Sequence, residues 1–268
     1  MIFTDTHCHL NFDSFSNDID QVIQQALHNN VKMVLVPGLD IETSKQAIRL
    51  AENHKIVFAA VGFHPNDLSS WQDEESIEEL YKLAQHHKVV GIGEIGLDYY
   101  RNYSPKQRQL KAFQAQLILA EELQKPVIIH NRNSHDDILR MMNEWHTNID
   151  PKNKLFRCPG VLHSFDGSLE FARNAVEMNF YLGISGPITY KNANDKRETI
   201  RSIPIEKLLL ETDAPFLSPH PHRGKRNEPS YIPIIAKKLT EVKNYDLADV
   251  ARVTTQNSIN LFSWEPVN

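Results

Sequence analysis

Imidazole and carboxylate side chains follow several short apolar segments of the chain, at the point where each segment ends. Side chains alternate between the two faces of a strand, so the His7-x-His9 pair would direct both rings to one face and Cys8 to the other. Imidazoles and carboxylates are the usual protein ligands of catalytic zinc and similar ions. We therefore expect a metal centre whose ligands are His7, His9, Glu94, His130, His163 and Asp213.

The size of this ligand set predicts two ions rather than one. A catalytic ion usually keeps three protein ligands, whereas one carboxylate can bridge two ions about 3.5 to 4 Å apart. A single histidine at a strand end more often makes a structural hydrogen bond, but burying ionisable groups at several such ends is costly unless they have a function. We expect two divalent metal ions, and the donor types leave Zn, Mn, Co and Mg open.

Short segments rich in Val, Ile and Leu alternate with amphipathic segments along the whole chain, a pattern typical of βαβ units. Near-continuous apolar strands indicate a parallel sheet that is covered on both faces. Eight such units favour an α/β fold, the (β/α)8 TIM barrel, in which the carboxyl ends of all strands meet on one face. A doubly wound open sheet is the alternative. The predicted strands are residues 2–6, 33–37, 56–62, 89–95, 126–130, 160–165, 180–184 and 208–212.

The amphipathic segments predict helices, and no linker rich in Pro, Gly or Ser interrupts the alternation. We therefore expect a single domain over residues 1–268. The predicted helices are residues 18–29, 43–54, 75–87, 105–123, 135–145, 168–178, 191–202, 232–242 and 247–262.

The composition fits a folded enzyme and limits its partners. Hydrophobic residues make up 41% and charged residues 24% of the chain, which argues against disorder. Lys and Arg number 29 against 34 Asp and Glu, so the net charge of −5 does not attract nucleic acid, and any polyanion contact must be local. From two cysteines, no basic and apolar leader and no apolar stretch of membrane-spanning length, we expect a cytoplasmic protein without membrane contact.

Basic and aromatic residues cluster in the segments that follow predicted strands four, five and eight. Each cation alone is more often a solvated surface charge, but cations grouped with nearby aromatic residues suit a phosphodiester with a stackable base. The aromatic residues close by in sequence are Phe63, Tyr99, Tyr100, Tyr103 and Tyr231. We expect DNA as the partner, as single strands or frayed ends, because a barrel mouth does not easily admit an intact duplex. The basic residues are Arg101, Lys106, Arg108, Arg132, Arg223, Lys225 and Arg226.

Six motifs, spread in order over nearly the whole chain, carry these residues. They are DTHCHL at 5–10, GFHP at 62–65, GEIGLDY at 93–99, IH at 129–130, HSFDG at 163–167 and ETDAPFL at 211–217. Together they resemble the TatD family of metal-dependent deoxyribonucleases. The resemblance implies a TIM-barrel metallohydrolase of the amidohydrolase type that cleaves DNA phosphodiester bonds, often from an end.

The resemblance also implies places for His64, Asn227 and the ligands. His64 would lie on the substrate side, and Asn227 would belong to a closing loop after strand eight. Asp166 and Asn131 depart from the small residues that are usual at their positions, although neither is a ligand. One ion would be held by His7, His9, Glu94 and Asp213, and the other by Glu94, His130 and His163.

Two divalent ions in this set would lower the pKa of a shared water and polarise a phosphate oxygen. Asp213 can accept a proton and is the expected general base, with Glu94 and His64 as the other catalytic residues. The expected substrate-binding residues are His64, Arg132, Arg101 and Asn227. Two alternatives remain: the same centre could hydrolyse an amide, ester or lactone, because fold and metals do not fix the substrate, or the chain could be a nucleic-acid-binding module on a vestigial barrel. The complete ligand set argues against the second.

Overall fold

Parallel strands pair in sequence order around a closed barrel. Within residues 1–266, which the computed structural model describes, the strands are β1 (Phe3–Asp5), β2 (Val31–Pro37), β3 (Val57–Val61), β4 (Val89–Asp98), β5 (Val127–Arg132), β6 (Gly160–Leu162), β7 (Tyr181–Ile184) and β8 (Leu208–Leu210). Each pairs in parallel with the next. The circle closes where the Thr6 N–H donates to the Leu210 carbonyl at 3.0 Å and Cys8 forms a parallel bridge with Ala214. The predicted (β/α)8 barrel is confirmed, and the doubly wound alternative is wrong.

The helices of the described chain cover the outside of the barrel and match the predicted helices to within three residues at each end. The second helix begins earlier than predicted because the Asp40 carboxylate accepts the Thr43 N–H at 2.8 Å and the Thr43 hydroxyl accepts the Asp40 N–H at 2.9 Å, a capping box. Among residues 1–266, no helix has the length and apolar character needed to cross a membrane. The helices are α1 (Ile19–His28), α2 (Ile41–Asn53), α3 (Asp73–Ala84), α4 (Lys106–Leu123), α5 (His135–Asn148), α6 (Leu169–Glu177), α7 (Asn194–Ser202), α8 (Ile232–Lys243) and α9 (Leu247–Phe262).

Two apolar clusters fill the barrel interior and the layer between sheet and helices. Met33 and Leu35 of β2 belong to the inner cluster, whereas Val34 between them belongs to the outer cluster, as the alternation of a strand requires. Trp264, just after α9, joins the inner cluster and packs on Phe58, with ring centroids 5.1 Å apart. Because Phe58 lies near the start of β3, these rings close the amino-terminal end of the barrel. The carboxyl ends of the strands are left for polar side chains.

Candidate metal centre

The six predicted ligands all lie at the carboxyl-terminal face of the barrel. His7 and His9 follow β1, His163 follows β6 and Asp213 follows β8, while Glu94 lies in the second half of β4. The last ligand, His130, is the fourth residue of β5. Each of the six side chains is 17% exposed or less. Residues far apart in the sequence therefore meet in one buried site.

One group of ligands surrounds the Oε2 atom of Glu94. The Nε2 atoms of His7 and His9 lie 3.3 Å and 3.6 Å from it and 3.3 Å from each other. The Oδ1 atom of Asp213 lies 3.8 Å from His7 Nε2 and 3.5 Å from His9 Nε2. Two imidazoles and two carboxylates thus point at one common position.

A second group surrounds the other oxygen of Glu94, Oε1. His130 Nδ1 and His163 Nε2 both lie 2.9 Å from it and 3.2 Å from each other. Gly96 allows this close approach of β4 to β5, because it has a φ of +137° and a Cβ there would overlap the backbone carbonyl of His130. Glu94 therefore presents one oxygen to each group of imidazoles.

The chemistry of both groups fits a divalent cation. Imidazole nitrogens and carboxylate oxygens converge in both groups. The donor atoms of His7, His9 and Glu94 lie within 4.8 Å of one another, and so do those of Glu94, His130 and the neighbouring His64. Within residues 1–266, the ion pairs of Glu94 and Asp213 are all with imidazoles and none is with Lys or Arg. Buried carboxylates need positive charge nearby to offset the cost of burial. Divalent ions held at these donors would supply that charge.

The surroundings keep both carboxylates ionised. Burial alone would raise the pKa of Glu94, but the imidazoles around it, that of His163 first, hold its pKa well below the usual value. Burial alone would also raise the pKa of Asp213. The hydrogen bond from His9 and the charges of the nearby imidazoles outweigh burial and lower this pKa. Burial would lower the pKa of His163, but the charge of Glu94 outweighs it and raises this pKa to about 10. Binding of a cation through His163 must therefore release a proton.

His64 lies beside the second group rather than within it. Its Nε2 atom is 3.7 Å from Glu94 Oε1, and its ring meets that of His130 edge to face with centroids 4.5 Å apart. Its Nδ1 atom lies 3.0 Å from Asp67 Oδ2. The ring is therefore held by Asp67 with its other nitrogen directed at the site.

Asp98, at the end of β4, was given no role in the sequence analysis, yet it links the site to the neighbouring loop. Its Oδ2 atom lies 3.3 Å from His130 Nε2 and accepts a hydrogen bond from the Asn66 amide at 2.8 Å. Its Oδ1 atom accepts the backbone N–H groups of Tyr100 at 3.0 Å and Arg101 at 2.8 Å. A carboxylate behind a ligand imidazole fixes the ring orientation. The GEIGLDY motif contains Asp98, but spacing alone does not show which way its side chain points.

Two more buried carboxylates, Asp5 and Glu211, lie near the site, and no sequence pattern indicates their roles. Burial raises the pKa of Asp5 to about 7 and that of Glu211 to about 8. Asp5 accepts the N–H of Thr212 at 2.9 Å and its hydroxyl at 2.5 Å, which joins the end of β1 to the segment after β8. Glu211 lies behind His163, with Oε1 3.8 Å from the ring Nδ1.

The model of the family described as TatD related DNase matches residues 4–263. The chain belongs to the TatD family. An uncharacterized metal-dependent hydrolase of Bacillus subtilis, YabD, is 41% identical over 262 residues, which cover 98% of this chain and 99% of the relative. The 3'-5' ssDNA/RNA exonuclease TatD of Salmonella typhimurium is 37% identical over 264 residues, which cover 96% and 98% of the two chains.

A solved structure shares the whole fold with this TatD-family chain. The crystal structure of YjjV, a TatD homologue from Escherichia coli K12, matches with a TM-score of 0.90 and 32% identity, and the match covers 98% of both chains. The family resemblance drawn from the six motifs is therefore confirmed. The chain is a metal-dependent hydrolase of the TatD family.

The structure does not favour the predicted contact of Asn227 with substrate. Asn227 is fully buried, and its amide donates to the carbonyls of Thr212 at 2.8 Å and Phe216 at 2.7 Å. Its Oδ1 atom accepts the N–H of Glu228 at 3.0 Å. These bonds hold the segment that carries Asp213, so the geometry makes Asn227 a support of this segment.

An Asn227→Ala variant should therefore lose stability and turnover together. The change leaves the carbonyl groups of Thr212 and Phe216 without their donor, the first of them in a buried bond. The loss costs about 2–4 kcal/mol of unfolding free energy, and it loosens the position of Asp213. Thermal unfolding and steady-state kinetics would measure both effects. A higher KM with unchanged stability and kcat would instead support the predicted contact of Asn227 with substrate.

The predicted basic cluster divides into paired and unpaired side chains. Lys106 pairs with Asp137 at 2.7 Å and Arg226 with Asp18 at 2.6 Å. The Arg108 guanidinium donates to the Trp71 carbonyl at 2.8 Å, so it also has a structural partner. Among the ion pairs of residues 1–266, none involves the remaining four, Arg101, Arg132, Arg223 and Lys225.

Two of these free cations lie beside exposed aromatic rings next to the site. The Arg132 guanidinium lies over the ring of Tyr100, 4.1 Å from its centroid, and the Arg101 guanidinium donates to the Tyr103 hydroxyl at 3.2 Å. Tyr100 is 63% exposed and Tyr103 is 70% exposed. We call Tyr100, Arg101, Tyr103 and Arg132 the rim. Its loop is attached to the site through the hydrogen bonds of Asp98.

Proposed function

We propose that this TatD-family hydrolase cleaves DNA phosphodiester bonds and acts best on single-stranded or frayed ends. The observation that carries the proposal is the arrangement of two ligand groups around one carboxylate, Glu94, beside a rim of free guanidinium groups and exposed rings. The name of the Salmonella relative, a single-strand exonuclease, supports the same substrate class.

The chain's own residues would hold two divalent ions, with Glu94 contributing to both sets of donors. When bound, such ions supply Lewis acidity to a phosphate oxygen and lower the pKa of water. The position of Glu94 between the groups keeps the two sites adjacent, and its low pKa keeps it ionised. His7, His9 and Asp213 complete one set, and His130 and His163 the other.

Asp213 belongs to the group at Oε2 of Glu94, and His64 lies beside the group at Oε1. Asp213 is ionised and lies at the edge of the first group, so we assign it as the general base that takes the proton of the attacking water. His64, held by Asp67, presents Nε2 beside the second group, where it can hydrogen-bond to the substrate phosphate or the leaving oxygen.

The rim would bind the strand that leads into the site. Guanidinium groups pair with phosphate oxygens, and exposed tyrosine rings stack on bases without sequence preference. This local positive surface answers the objection that the net charge of −5 repels a polyanion.

The substrate class is tested by a side-by-side assay of the metal-loaded protein. Labelled single-stranded DNA, duplex DNA and duplex DNA with frayed ends are compared with a set of amides, esters and lactones. We expect single strands and frayed ends to be cleaved fastest. Turnover of amides or lactones without any phosphodiester cleavage would contradict the proposal and favour the alternative hydrolase.

Arg132→Ala and Arg101→Ala should weaken substrate binding more than catalysis. Each variant removes a cation that contacts the strand outside the metal centre, so we expect KM for single-stranded DNA to rise about 3- to 10-fold, with kcat within about twofold. The increase should be largest at low salt. Steady-state kinetics at two salt concentrations measure this.

Arg252→Ala is the matched control, since it removes the same charge from α9, where Arg252 pairs with Asp249 at 2.8 Å. Its KM should equal that of the wild type. Equal KM values for all three variants would remove the rim from the substrate-binding surface.

A further inference from the structure

A buried carboxylate that the proposed mechanism does not use lies behind the two ligand groups. Glu211 follows β8 directly and is fully buried. In front of it the rings of His7 and His163 stack, with centroids 4.0 Å apart and planes 14° from parallel. One ring nitrogen of each histidine and one oxygen of Glu211 all lie within 4.8 Å of one another.

Three polar atoms in this region have no hydrogen-bond partner among residues 1–266. They are His7 Nδ1, His163 Nδ1 and Glu211 Oε2. Both histidines direct Nε2 at Glu94, so Nδ1 is the nitrogen on the far side of each ring. A neutral imidazole that gives its Nε2 lone pair to a cation carries its proton on Nδ1, and that N–H needs an acceptor.

We propose that Glu211 is a positioning residue shared by the two ligand groups, accepting hydrogen bonds from Nδ1–H of both His163 and His7. The inference rests on the proposed ion sites, since it assigns what holds their ligands. His163 Nδ1 lies 3.8 Å from Glu211 Oε1, so a shift of about 1 Å completes that bond. Because His7 belongs to the Oε2 group of Glu94 and His163 to the Oε1 group, one carboxylate orients a ligand of each ion.

The surroundings of Glu211 fit this role, because N–H groups that donate to its oxygens oppose the burial that raises its pKa to about 8. The backbone N–H of Ser164, the residue after His163, donates to Glu211 Oε1 and holds the carboxylate beside the ring. On the other side, β7 has a glycine at position 183, and a Cβ there would overlap the Glu211 carboxylate. The neighbouring strand therefore leaves room for this side chain and limits where it can lie.

The test is calorimetric titration of metal-free protein with Mn²⁺, which reports the number and the affinity of bound ions without any activity assay. Wild-type protein should bind two ions. Glu211→Gln keeps the shape of the side chain but offers one acceptor in place of two, so both dissociation constants should rise about 10- to 100-fold. Asp98→Asn is the matched control, because His130 is the one ligand imidazole that Asp98 contacts in residues 1–266, so the change should weaken one ion alone.

Thermal unfolding of the metal-free variants separates this role from a structural one. A structural Glu211 would lower the melting temperature and leave both dissociation constants at the wild-type values, which would overturn the inference. Weakening of only one ion by Glu211→Gln would also overturn it, as would a third ion in the wild type that this variant loses. If Glu211→Gln does not fold, Gly183→Ala displaces the carboxylate without removing it and should weaken both ions. A wild type that binds no Mn²⁺ would instead refute the proposed function.

Discussion

Hydrolysis of single-stranded DNA should fall by at least about 10³-fold, or more than about 4 kcal/mol of barrier, when a chelator removes divalent ions. Nothing in the described part of the site supplies an activated serine or cysteine nucleophile. Among residues 1–266, no serine or cysteine hydroxyl or thiol makes a hydrogen bond to one of the site imidazoles, and Cys8 is fully buried. Water would have to be activated by Asp213 or His64 alone.

Restoration is the second half of this prediction. Adding back Mn²⁺ or Mg²⁺ after dialysis should return activity, and full activity should require two ions per chain because each oxygen of Glu94 faces its own group. Metal content is measured by mass spectrometry on the sample that is assayed. Undiminished activity at sub-stoichiometric metal would refute the metal mechanism, and full activity with one ion per chain would refute the two-ion centre.

The barrel could be predicted from the sequence because its strands are apolar on both faces. Residues such as Met33 and Val34 are both fully buried, so the strands read as continuous apolar segments between amphipathic helices. Strand ends were harder to predict. The strand predicted to extend to residue 165 ends at Leu162, because Ser164 takes a left-handed φ of +43°. The backbone turns there so that His163 can face the site.

The convergence of the six candidate ligands could be predicted because they are imidazoles and carboxylates that stand at strand ends, as the His7-x-His9 pair illustrates. The residues that support the ligands could not be predicted, because their roles depend on the direction in which their side chains point. Asn227 was placed with the substrate, yet its amide points back to the loop that carries Asp213. The ion pair of Arg226 with Asp18 joins positions 208 residues apart, which no local pattern indicates.

Asp213→Asn should lower turnover about 10²- to 10⁴-fold, equivalent to roughly 3 to 5 kcal/mol of barrier. Asn keeps nearly the same shape and one oxygen, but it cannot accept the proton of the attacking water. Asp213 has a left-handed φ of +57°, a conformation that Asn also adopts readily, so the substitution does not disturb the backbone. Its N–H donates to the His7 carbonyl at 2.8 Å, a bond that the variant retains.

The decisive measurement combines turnover per folded molecule, melting temperature and metal content of the same preparation. If Asp213 is the base, turnover falls while two ions remain bound and the melting temperature stays near that of the wild type. A purely structural Asp213 predicts the reverse, a lower melting temperature with turnover within about threefold of wild type, less than about 1 kcal/mol. If an ion is lost, Asp213 is a ligand, and added Mn²⁺ at saturating concentration separates the two roles. Turnover that recovers with the ion would assign Asp213 to metal binding alone. Turnover that stays low with both ions bound would assign Asp213 the role of general base.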